Sequence, residues 1–210
     1  MSPINSFYER TKDDAPSPLL RQAIALLPPG KQALDLGCGA GRDTTFLVER
    51  GFYVTAVDKN EAAYPYFAAL LPEQAHWVHS TFEHFAFQPS MYDLITAQWS
   101  LPFQQPAIFG EVFARLREAL RPGGVFTGHF FGVKDEWNTP DTPFTFLTQQ
   151  QAKAFLQDLD VHVFREDERD GTIADGTPKH WHVFSIIAQR EAGDSADSDS
   201  NATRGSNCLW

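Results

Sequence analysis

Three glycines at alternate positions, Gly37, Gly39 and Gly41, form the stretch of this chain best suited to hold a small ligand. A loop of this kind turns sharply, and a ligand can approach its backbone closely because no Cβ stands in the way. The mostly apolar run Ala33–Leu36 before it favours a buried parallel strand, and Asp43–Arg50 after it favours a helix. The order strand, glycine loop and helix predicts the first unit of a doubly wound α/β fold, in which ligands bind at the carboxyl ends of the strands.

Two acids near this loop indicate which ligand it holds. Asp35 lies two residues before Gly37, and Asp58 ends the second strand-like run, Tyr53–Val57. The dinucleotide fingerprint fails, because its last glycine position is occupied by Arg42. A carboxylate beside the loop favours a positively charged ligand over a pyrophosphate, and S-adenosylmethionine carries a sulfonium and an ammonium but no phosphate. An acid at the tip of the second strand is placed to accept hydrogen bonds from both ribose hydroxyls.

Other interpretations of the loop stay open from the residues alone. A nicotinamide-dependent oxidoreductase would also use Asp58 for a ribose, although Arg42 counts against it. A non-catalytic S-adenosylmethionine-binding module, such as a sensor or a partner subunit, would keep the same glycine loop. The structural alternative is a tight turn between strand and helix that binds nothing.

Four stretches resemble, in order, the motifs of the class I S-adenosylmethionine-dependent methyltransferases: ALDLGCGAGRD, AVDKN, YDLITAQWSLPF and LRPGGVFTGHFFG. The stretches FYERTKDDAPSPLL and PKHWHVFSIIAQR resemble a small bacterial subgroup near the tellurite-resistance methyltransferases. This resemblance implies a Rossmann-like α/β fold with a mostly parallel sheet of about seven strands, helices on both faces and an antiparallel last strand. It also implies methyl transfer from S-adenosylmethionine to a small-molecule acceptor, such as a thiol or a chalcogen oxyanion, which leaves S-adenosylhomocysteine.

The motif residues and the resemblance together predict the cofactor contacts. We expect Phe82 to pack on the adenine face. The segment Ser80–His84 departs from the family pattern, because it has Ser80, Thr81 and Glu83 where many methyltransferases place an Asp against the adenine amino group. The adenine contact is therefore unassigned. The predicted cofactor-binding residues are Asp35, Gly37, Cys38, Gly39, Gly41, Asp58, Lys59, Phe82 and Gln98.

The acceptor side is predicted at the end of the fourth strand, Tyr92–Ala97, which the resemblance places opposite the transferable methyl group. An anionic or soft nucleophile needs no protein base, whereas a neutral hydroxyl or amine would need His129 or His180. Plain hydrophobic packing is the alternative for the aromatic residues, and for Tyr8 it is a cover over the core edge rather than a lid. The positioning candidates are Trp99, His129 and His180, and the predicted substrate pocket is Tyr8, Trp99, Phe103, Phe131 and Trp137.

Apolar periodicity and turn residues predict the other elements of the domain, which we expect to span residues 1–190, with an N-terminal arm at 1–15. Further helices are expected at Leu19–Leu27, Lys59–Leu71, Ile108–Leu120 and Thr145–Leu159. Further strands are expected at His76–His79, Val125–Phe131, Val161–Glu166 and His180–Gln189, with turns at Asp170–Thr172 and Asp175–Pro178.

Composition restricts the partners and the compartment. The 210 residues carry a net charge of −10, which argues against nucleic acid, and no apolar run approaches the ~20 residues of a membrane-spanning helix. Two cysteines without a framework and no secretory pattern predict a cytoplasmic protein. We expect a monomer or a weak homodimer. His180 and His182 share a strand face, but a metal would need further ligands, so no metal is expected. Residues 191–210 are predicted to be a disordered acidic tail.

Overall fold

A computed structural model describes residues 3–68 and 73–192 of the chain. The strands are β1 Gln32–Leu36, β2 Tyr53–Asp58, β3 Ala75–His79, β4 Tyr92–Ala97, β5 Leu120–Gly132, β6 Phe146–Leu147, β7 Leu159–Thr172 and β8 Pro178–Arg190. The helices are α1 Pro3–Thr11, α2 Pro18–Ile24, α3 Arg42–Val48, α4 Tyr64–Phe67, α5 Pro106–Ala119 and α6 Gln149–Phe155, with 3₁₀ turns at Glu61–Ala63 and Leu101–Phe103.

The strands form one sheet in the order β3-β2-β1-β4-β5-β8-β7, with the short β6 added beside β5. Neighbouring strands pair in parallel except at β8, which is antiparallel to both β5 and β7. This confirms the mostly parallel sheet with an antiparallel last strand. The chain moves outward from β1 to β3 and then returns to place β4 on the other side of β1. The crevice between β1 and β4 is therefore the switch point at which such sheets bind ligands.

Helices cover both faces of the sheet, as expected for this fold. On one face, the apolar stripe of α5, which includes Phe109, Phe113 and Leu116, packs with Phe126 and Phe130 of β5. On the other face, Leu20 of α2 and Leu47 of α3 lie in a second core with strand residues such as Ala33, Leu94 and Val125. The two cores hold the ends of β1, β2, β4 and β5 in fixed positions at one edge of the sheet.

The predicted helix Thr145–Leu159 is shorter than expected. α6 begins at Gln149, because Thr148 caps it: the Thr148 hydroxyl accepts a hydrogen bond from the Gln151 amide at 3.2 Å, and the Gln151 side chain accepts one from the Thr148 amide at 2.9 Å. The two residues before the cap pair with the end of β5 as β6. The capping box of Thr148 and Gln151 therefore determines where the helix begins, although the apolar periodicity extends further.

The predicted turn at Asp170–Thr172 is wrong. These residues belong to β7, where Asp170 pairs with His180 and Thr172 pairs with Pro178. The chain reverses at residues 173–177, where Gly176 has a φ of +89°, so the turn predicted from Asp175–Pro178 is the one that forms. The outer residues of β7 and β8 are mostly polar and pair only with each other. A run of mostly charged residues does not predict such a strand pair.

Other boundaries differ less. β5 begins at Leu120, before the predicted Val125, through an irregular pairing with β4. The predicted helix Lys59–Leu71 starts late, as Pro65 indicated, because α4 begins at Tyr64. The predicted end, Leu71, lies outside the described residues. The predicted tail lies outside them from residue 193 onward. The predicted N-terminal arm contains a helix, α1, and no helix within the described ranges is long and apolar enough to cross a membrane.

Candidate active site

The loop after β1 is attached to the end of β2 by backbone hydrogen bonds. The amides of Gly37 and Cys38 both donate to the carbonyl oxygen of Val57, at 2.8 and 3.1 Å. The amide of Gly39 donates to Oδ2 of Asp58 at 2.9 Å. The glycine loop and the acid at the tip of β2 therefore lie side by side.

Gly37 lies where a larger residue would not fit. Its φ of +76° is in the left-handed region, and a Cβ on it would lie 2.3 Å from Cβ of Ser100. Ser100, which follows β4, donates a hydrogen bond from Oγ to the carbonyl of Leu36 at 2.5 Å. The loops after β1 and β4 thus meet at the switch point of the sheet.

Asp58 is buried, and its second oxygen is also bonded. Oδ1 accepts hydrogen bonds from the amide of Asn60 at 2.9 Å and from the hydroxyl of Tyr8 at 3.3 Å. Burial, followed by the charge of Asp58, raises the pKa of the Tyr8 phenol, so this hydroxyl keeps its proton. A ring carbon of Tyr8 also lies 3.3 Å from where a Cβ on Gly39 would stand. We predicted Tyr8 in the acceptor pocket, but the structure places it on α1 beside Asp58 and Gly39.

Asp35 lies beneath the glycine loop and is fully buried. Its Oδ2 accepts a hydrogen bond from the hydroxyl of Thr44 at 2.6 Å. Burial and the nearby Asp43 carboxylate raise the pKa of Asp35 to about 7, although Thr44 and Arg42 act in the opposite direction. A positive charge bound nearby would favour the ionised form of this carboxyl.

Gln98 joins three elements, β4, β5 and the start of α2, through its side-chain amide. Its Nε2 donates to the hydroxyl of Thr96 at 3.1 Å, and its Oε1 accepts from the hydroxyl of Ser17 at 2.9 Å. The amide of Ser17 in turn donates to Oδ1 of Asp43 at 2.9 Å. Ser17 and Asp43 were not among the predicted site residues. The helix start Ser17-Pro18 was a usable signal for the first, because serine commonly caps a helix that begins with proline.

The other predicted cofactor residues lie around the same loop. Phe82 is buried, with a ring carbon 3.5 Å from where a Cβ on Gly37 would stand. Burial raises the pKa of the Cys38 thiol, which is therefore not a reactive thiolate. Gly41 begins α3 with a φ of +78°, and Lys59 follows β2 with an exposed side chain. In the segment predicted to face the adenine, the hydroxyl of Thr81 is bonded to Nδ1 of His84 at 2.9 Å.

Trp99 is stacked on His129 at the end of β4. The ring centroids are 4.2 Å apart with an interplanar angle of 15°, and Trp99 has a φ of +57°, which is unusual for a bulky residue. His129 is buried, and its Nδ1 has no hydrogen-bond partner among the described residues. Burial, followed by the charges of Arg165 and Arg169, lowers the pKa of His129 to about 3. The imidazole is therefore neutral over the physiological range and is a weak base.

Trp99 belongs to a set of contacting aromatic side chains at the ends of β4, β5 and β8, which we call the aromatic cluster. Trp181 lies edge-on to Trp99 at 5.4 Å and to Trp137 at 5.5 Å, and Phe103 lies edge-on to Phe131 at 5.7 Å. Four of the predicted pocket residues are thus brought together. The members of the cluster are Trp99, Phe103, Phe131, Trp137, Phe144 and Trp181, of which sequence reasoning missed Phe144 and Trp181.

A buried ion pair supports the aromatic cluster. Nζ of Lys179 donates to the carboxylate of Asp135 and lies 4.0 Å from the ring centroid of Trp181 and 4.4 Å from that of Trp137. Asp135 also accepts hydrogen bonds from the backbone amides of Trp137 at 3.0 Å and His182 at 3.2 Å. This pair therefore ties the segment after β5 to β8 and holds two indoles at one cation.

His180 lies apart from this cluster. Successive residues of a strand point to opposite faces, and Trp181 is the residue of β8 that contacts Trp99. Nδ1 of His180 is 2.8 Å from Oδ1 of Asp170, and this contact is the main cause that raises the pKa of His180. The structure therefore does not bring His180 together with Trp99 and His129, the other two positioning candidates. Its partner on the same face, His182, is bonded to Glu166 at 2.8 Å.

Two surface depressions, of about 310 and 650 Å³, lie at the opposite end of the strands. The first is lined by residues such as Pro28, Gly30 and Phe52, and the second by residues such as Asp160 and Arg190. Ligands of open α/β sheets bind at the carboxyl ends of the parallel strands, so the glycine-loop crevice remains the candidate site. Within the described residues, no group of three or more histidine, cysteine or acidic side chains is arranged to hold a metal.

Part of the chain is similar to known methyltransferases. Residues 33–124 match a family described as a methyltransferase domain. An uncharacterised methyltransferase of a Synechocystis species is 31% identical over 109 residues, which are 52% of this chain and 50% of that protein. The chain spans about half the length of the first curated relatives it matches.

Solved structures share the fold at low identity. TehB from Haemophilus influenzae superposes with a TM-score of 0.72 at 19% identity, over 89% of this chain and 66% of that one. A Burkholderia thailandensis 1,6-didemethyltoxoflavin-N1-methyltransferase, solved with 1,6-didemethyltoxoflavin and S-adenosylhomocysteine, superposes with a TM-score of 0.61 at 22% identity, over 89% and 84% of the two chains.

Proposed function

We propose that this chain, whose domain and fold are those of the class I S-adenosylmethionine-dependent methyltransferases, transfers the methyl group of S-adenosylmethionine to a small-molecule acceptor. The observation that carries the proposal is the bond between the amide of Gly39 and the carboxylate of Asp58. It places an open backbone loop beside an acid at the second strand tip, which suits a ribose on a nucleoside without phosphates.

The residues present fit this cofactor. A Cβ on Gly37 would collide with Ser100, so the backbone there is kept bare, and Asp58 supplies carboxylate oxygens for the ribose. We propose that Phe82 packs on the adenine ring. The Asp35 carboxyl is proposed to attract the positively charged part of S-adenosylmethionine. When bound, the sulfonium group supplies a methyl that is already activated toward nucleophiles.

The protein's own residues would mainly hold the acceptor in line. His129 is neutral with a pKa of about 3, so it is too weak a base to take the proton of a hydroxyl or an amine. This favours an acceptor that is anionic before it binds, and we propose a thiol or a chalcogen oxyanion. Trp99, stacked on His129, is proposed to fix the position of the acceptor, since orientation is the main contribution left to the protein.

The remaining proposals concern the setting of the enzyme. The net charge of −10 supports a small-molecule acceptor rather than nucleic acid. We propose that the protein acts in the cytoplasm as a monomer or weak homodimer, without a metal and without membrane association.

Calorimetry tests the cofactor, and a methyl-transfer assay tests the reaction. S-adenosylmethionine and S-adenosylhomocysteine should bind in the micromolar range, about −8 kcal/mol, and NADH should not. Labelled methyl should then appear on members of a panel of small thiols, selenite and tellurite. Tighter binding of NADH would identify an oxidoreductase instead. Binding of S-adenosylmethionine without transfer to any panel member would favour a non-catalytic module.

A further inference from the structure

We propose that the acceptor is an aromatic thiol, bound as its thiolate with the ring against Trp99 and Trp181 and its negative charge facing Arg169. This inference rests on the methyltransferase function proposed above and names the substrate class of the same site. Three features of the acceptor side support it: a half-exposed aromatic surface, a cation site that is already filled, and a guanidinium group with no ion-pair partner in the part of the chain that the structure describes.

The aromatic surface is the first feature. Trp99, Phe103, Trp137 and Trp181 are each only partly buried, although their rings contact one another. Aromatic residues that serve only as core become fully buried, as Phe131 does behind them. A partly exposed group of aromatic side chains beside a cofactor crevice indicates a surface that binds apolar or flat molecules. Indole faces and edges bind other aromatic rings in stacked or edge-on arrangements.

The filled cation site is the second feature. Two indoles that face one point commonly bind an ammonium group of a ligand. Here that point is occupied by Nζ of Lys179, which is buried and paired with Asp135. A cationic acceptor would therefore meet a cation already in place. The cluster is prepared for a ring that is neutral or negative.

The guanidinium group of Arg169 is the third feature. Arg169 of β7 is paired directly opposite Trp181 of β8, and directly opposed residues lie on the same face of a sheet. No described carboxylate lies within ion-pairing distance of Arg169, whereas Arg165, four positions earlier on this face, is bonded to Asp167. The positive charges of both arginines reach His129, the ring on which Trp99 is stacked. An anionic nucleophile beside Trp99 would be stabilised by the same field.

An aromatic thiol satisfies all three features, and the chemistry needs no base. The thiol loses its proton to solvent when it ionises. The thiolate sulfur then forms the new S–CH₃ bond with its own electron pair as the bond from the methyl to the sulfonium breaks. That bonding pair stays on the departing thioether, so no proton has to reach the weakly basic His129 during the transfer.

The experiment compares matched thiols with the full-length protein and S-adenosylmethionine. 4-Mercaptobenzoate, thiophenol and a thiophenol with a para trimethylammonium group differ in charge, and cyclohexanethiol lacks the aromatic ring. We expect kcat/KM to fall in the order carboxylate, neutral and cationic aromatic thiol, with cyclohexanethiol at least tenfold below thiophenol at equal thiolate concentration. An equal rate for cyclohexanethiol, or a preference for the cationic thiol, would overturn the inference.

Two variants and one matched control assign the preference to this surface. Arg169→Gln should raise KM for thiophenol and for 4-mercaptobenzoate about three- to tenfold at equal thiolate concentration, because both bind as thiolates. Trp181→Leu should raise KM for both by roughly tenfold. Arg21→Gln, which changes an exposed arginine on α2, should change neither.

The outcomes separate this inference from the function on which it rests. Binding of S-adenosylhomocysteine, measured by calorimetry on every variant, reports the cofactor site alone. If it is bound normally but Arg169→Gln behaves like Arg21→Gln, the aromatic thiolate inference fails and the methyltransferase function stands. If no protein binds S-adenosylhomocysteine, the proposed function fails first. Circular dichroism on Trp181→Leu distinguishes lost recognition from misfolding, and Arg169→Gln on the exposed strand face provides the second test.

Discussion

The amide of Gly39 and the carboxylate of Asp58 are 2.9 Å apart, so one hydrogen bond joins the glycine loop to the tip of β2. The same carboxylate accepts a hydrogen bond from Tyr8 of α1. Asp58 thus connects the glycine loop, the end of β2 and α1 at the position proposed for the ribose. Its substitution therefore affects both the cofactor and the loop.

Substitution of Asp58 should weaken the binding of the cofactor rather than slow the methyl transfer. Asp58→Ala is expected to reduce the affinity for S-adenosylhomocysteine by ~1–3 kcal/mol, because hydrogen bonds to a charged group are lost. Asp58→Asn keeps an oxygen for Gly39 and should lose less. Titration calorimetry and the KM for the cofactor measure this loss. We expect kcat to be nearly unchanged, because the lost interaction is equally strong in the bound complex and in the transition state. Affinity equal to that of the parent in both variants would remove Asp58 from the site.

Glycine substitutions should separate backbone strain from collision. Gly37 and Gly51 have nearly the same positive φ, +76° and +77°, but a Cβ on Gly51 would have no atom within 4 Å. Gly51→Ala should therefore lose only the ~1–2 kcal/mol of left-handed strain in its free energy of unfolding. Gly37→Ala should lose clearly more, because Ser100 must move. Equal losses in urea unfolding would show that the contact relaxes easily.

Gly39→Val should abolish cofactor binding while the protein stays folded. The φ of Gly39 is +52°, and its Cβ would stand 3.3 Å from the side-chain ring of Tyr8 rather than against backbone. Titration with S-adenosylhomocysteine and the circular dichroism spectrum measure the two effects. Normal affinity in this variant would mean that the cofactor does not approach the loop at Gly39.

The pKa of Asp35, raised to about 7, should appear in stability. Between about pH 4 and pH 7 the unfolded chain has lost this proton and the folded protein has kept it, so the free energy of unfolding falls as the pH rises through this range. Asp35→Asn should therefore be more stable than the parent at pH 8, and the difference should shrink toward pH 4. Urea unfolding across this range measures it, with the exposed Asp141→Asn as a control.

The same carboxyl should make cofactor selection depend on pH. S-adenosylmethionine carries a sulfonium charge that S-adenosylhomocysteine lacks, and a nearby cation favours the ionised form of Asp35. The ratio of the two affinities should shift toward S-adenosylmethionine as the pH rises to about 7, and it should be flat in Asp35→Asn. A ratio independent of pH in the parent would show that Asp35 does not sense the sulfonium.

His129 should act on stability in the opposite direction. Its pKa is lowered to about 3, so below about pH 6.5 the unfolded chain binds a proton that the folded protein refuses, and the free energy of unfolding falls with acidification. His129→Gln should lose less stability between pH 6.5 and pH 4 than the parent. His180→Gln is the matched control, because the pKa of His180 is raised and its exposed site should give at most a small change of the other sign. A parent-like pH profile in His129→Gln would mean that His129 is hydrated.

The sequence predicts the parts of the candidate site that lie close together along the chain. It does not predict the parts that strand pairing brings together from distant positions. The glycine loop, Asp58 and the end of β4 follow from strand and loop signals that lie within a few residues of each other. Trp181 meets Trp99 only because β8 pairs antiparallel beside β5, and no short pattern predicts that register. Neighbouring residues of a strand lie on opposite faces, so His180 is on the other face of β8 from Trp181. Tyr8 reaches Asp58 across fifty residues through α1, which no local signal announced.

Trp99 is expected to separate binding from turnover, because it belongs to the aromatic cluster and directly precedes Ser100 beside the glycine loop. Its neighbour Ser100 contacts the glycine loop, whereas its own ring is stacked on His129. Trp99→Ala should keep the affinity for S-adenosylhomocysteine within a few-fold and lower kcat with any acceptor, as a defect in positioning.

The left-handed backbone of Trp99 provides a matched pair of variants. Its φ of +57° strains any residue with a side chain, so Trp99→Gly should be at least as stable as Trp99→Ala although both lose the same ring. If turnover falls equally in both while their stabilities differ, the loss comes from the missing indole and not from a disturbed backbone. If instead Trp99→Ala loses the cofactor and Asp58→Ala retains it, the cofactor lies on the aromatic side, and the assignment of the two halves of the site is reversed.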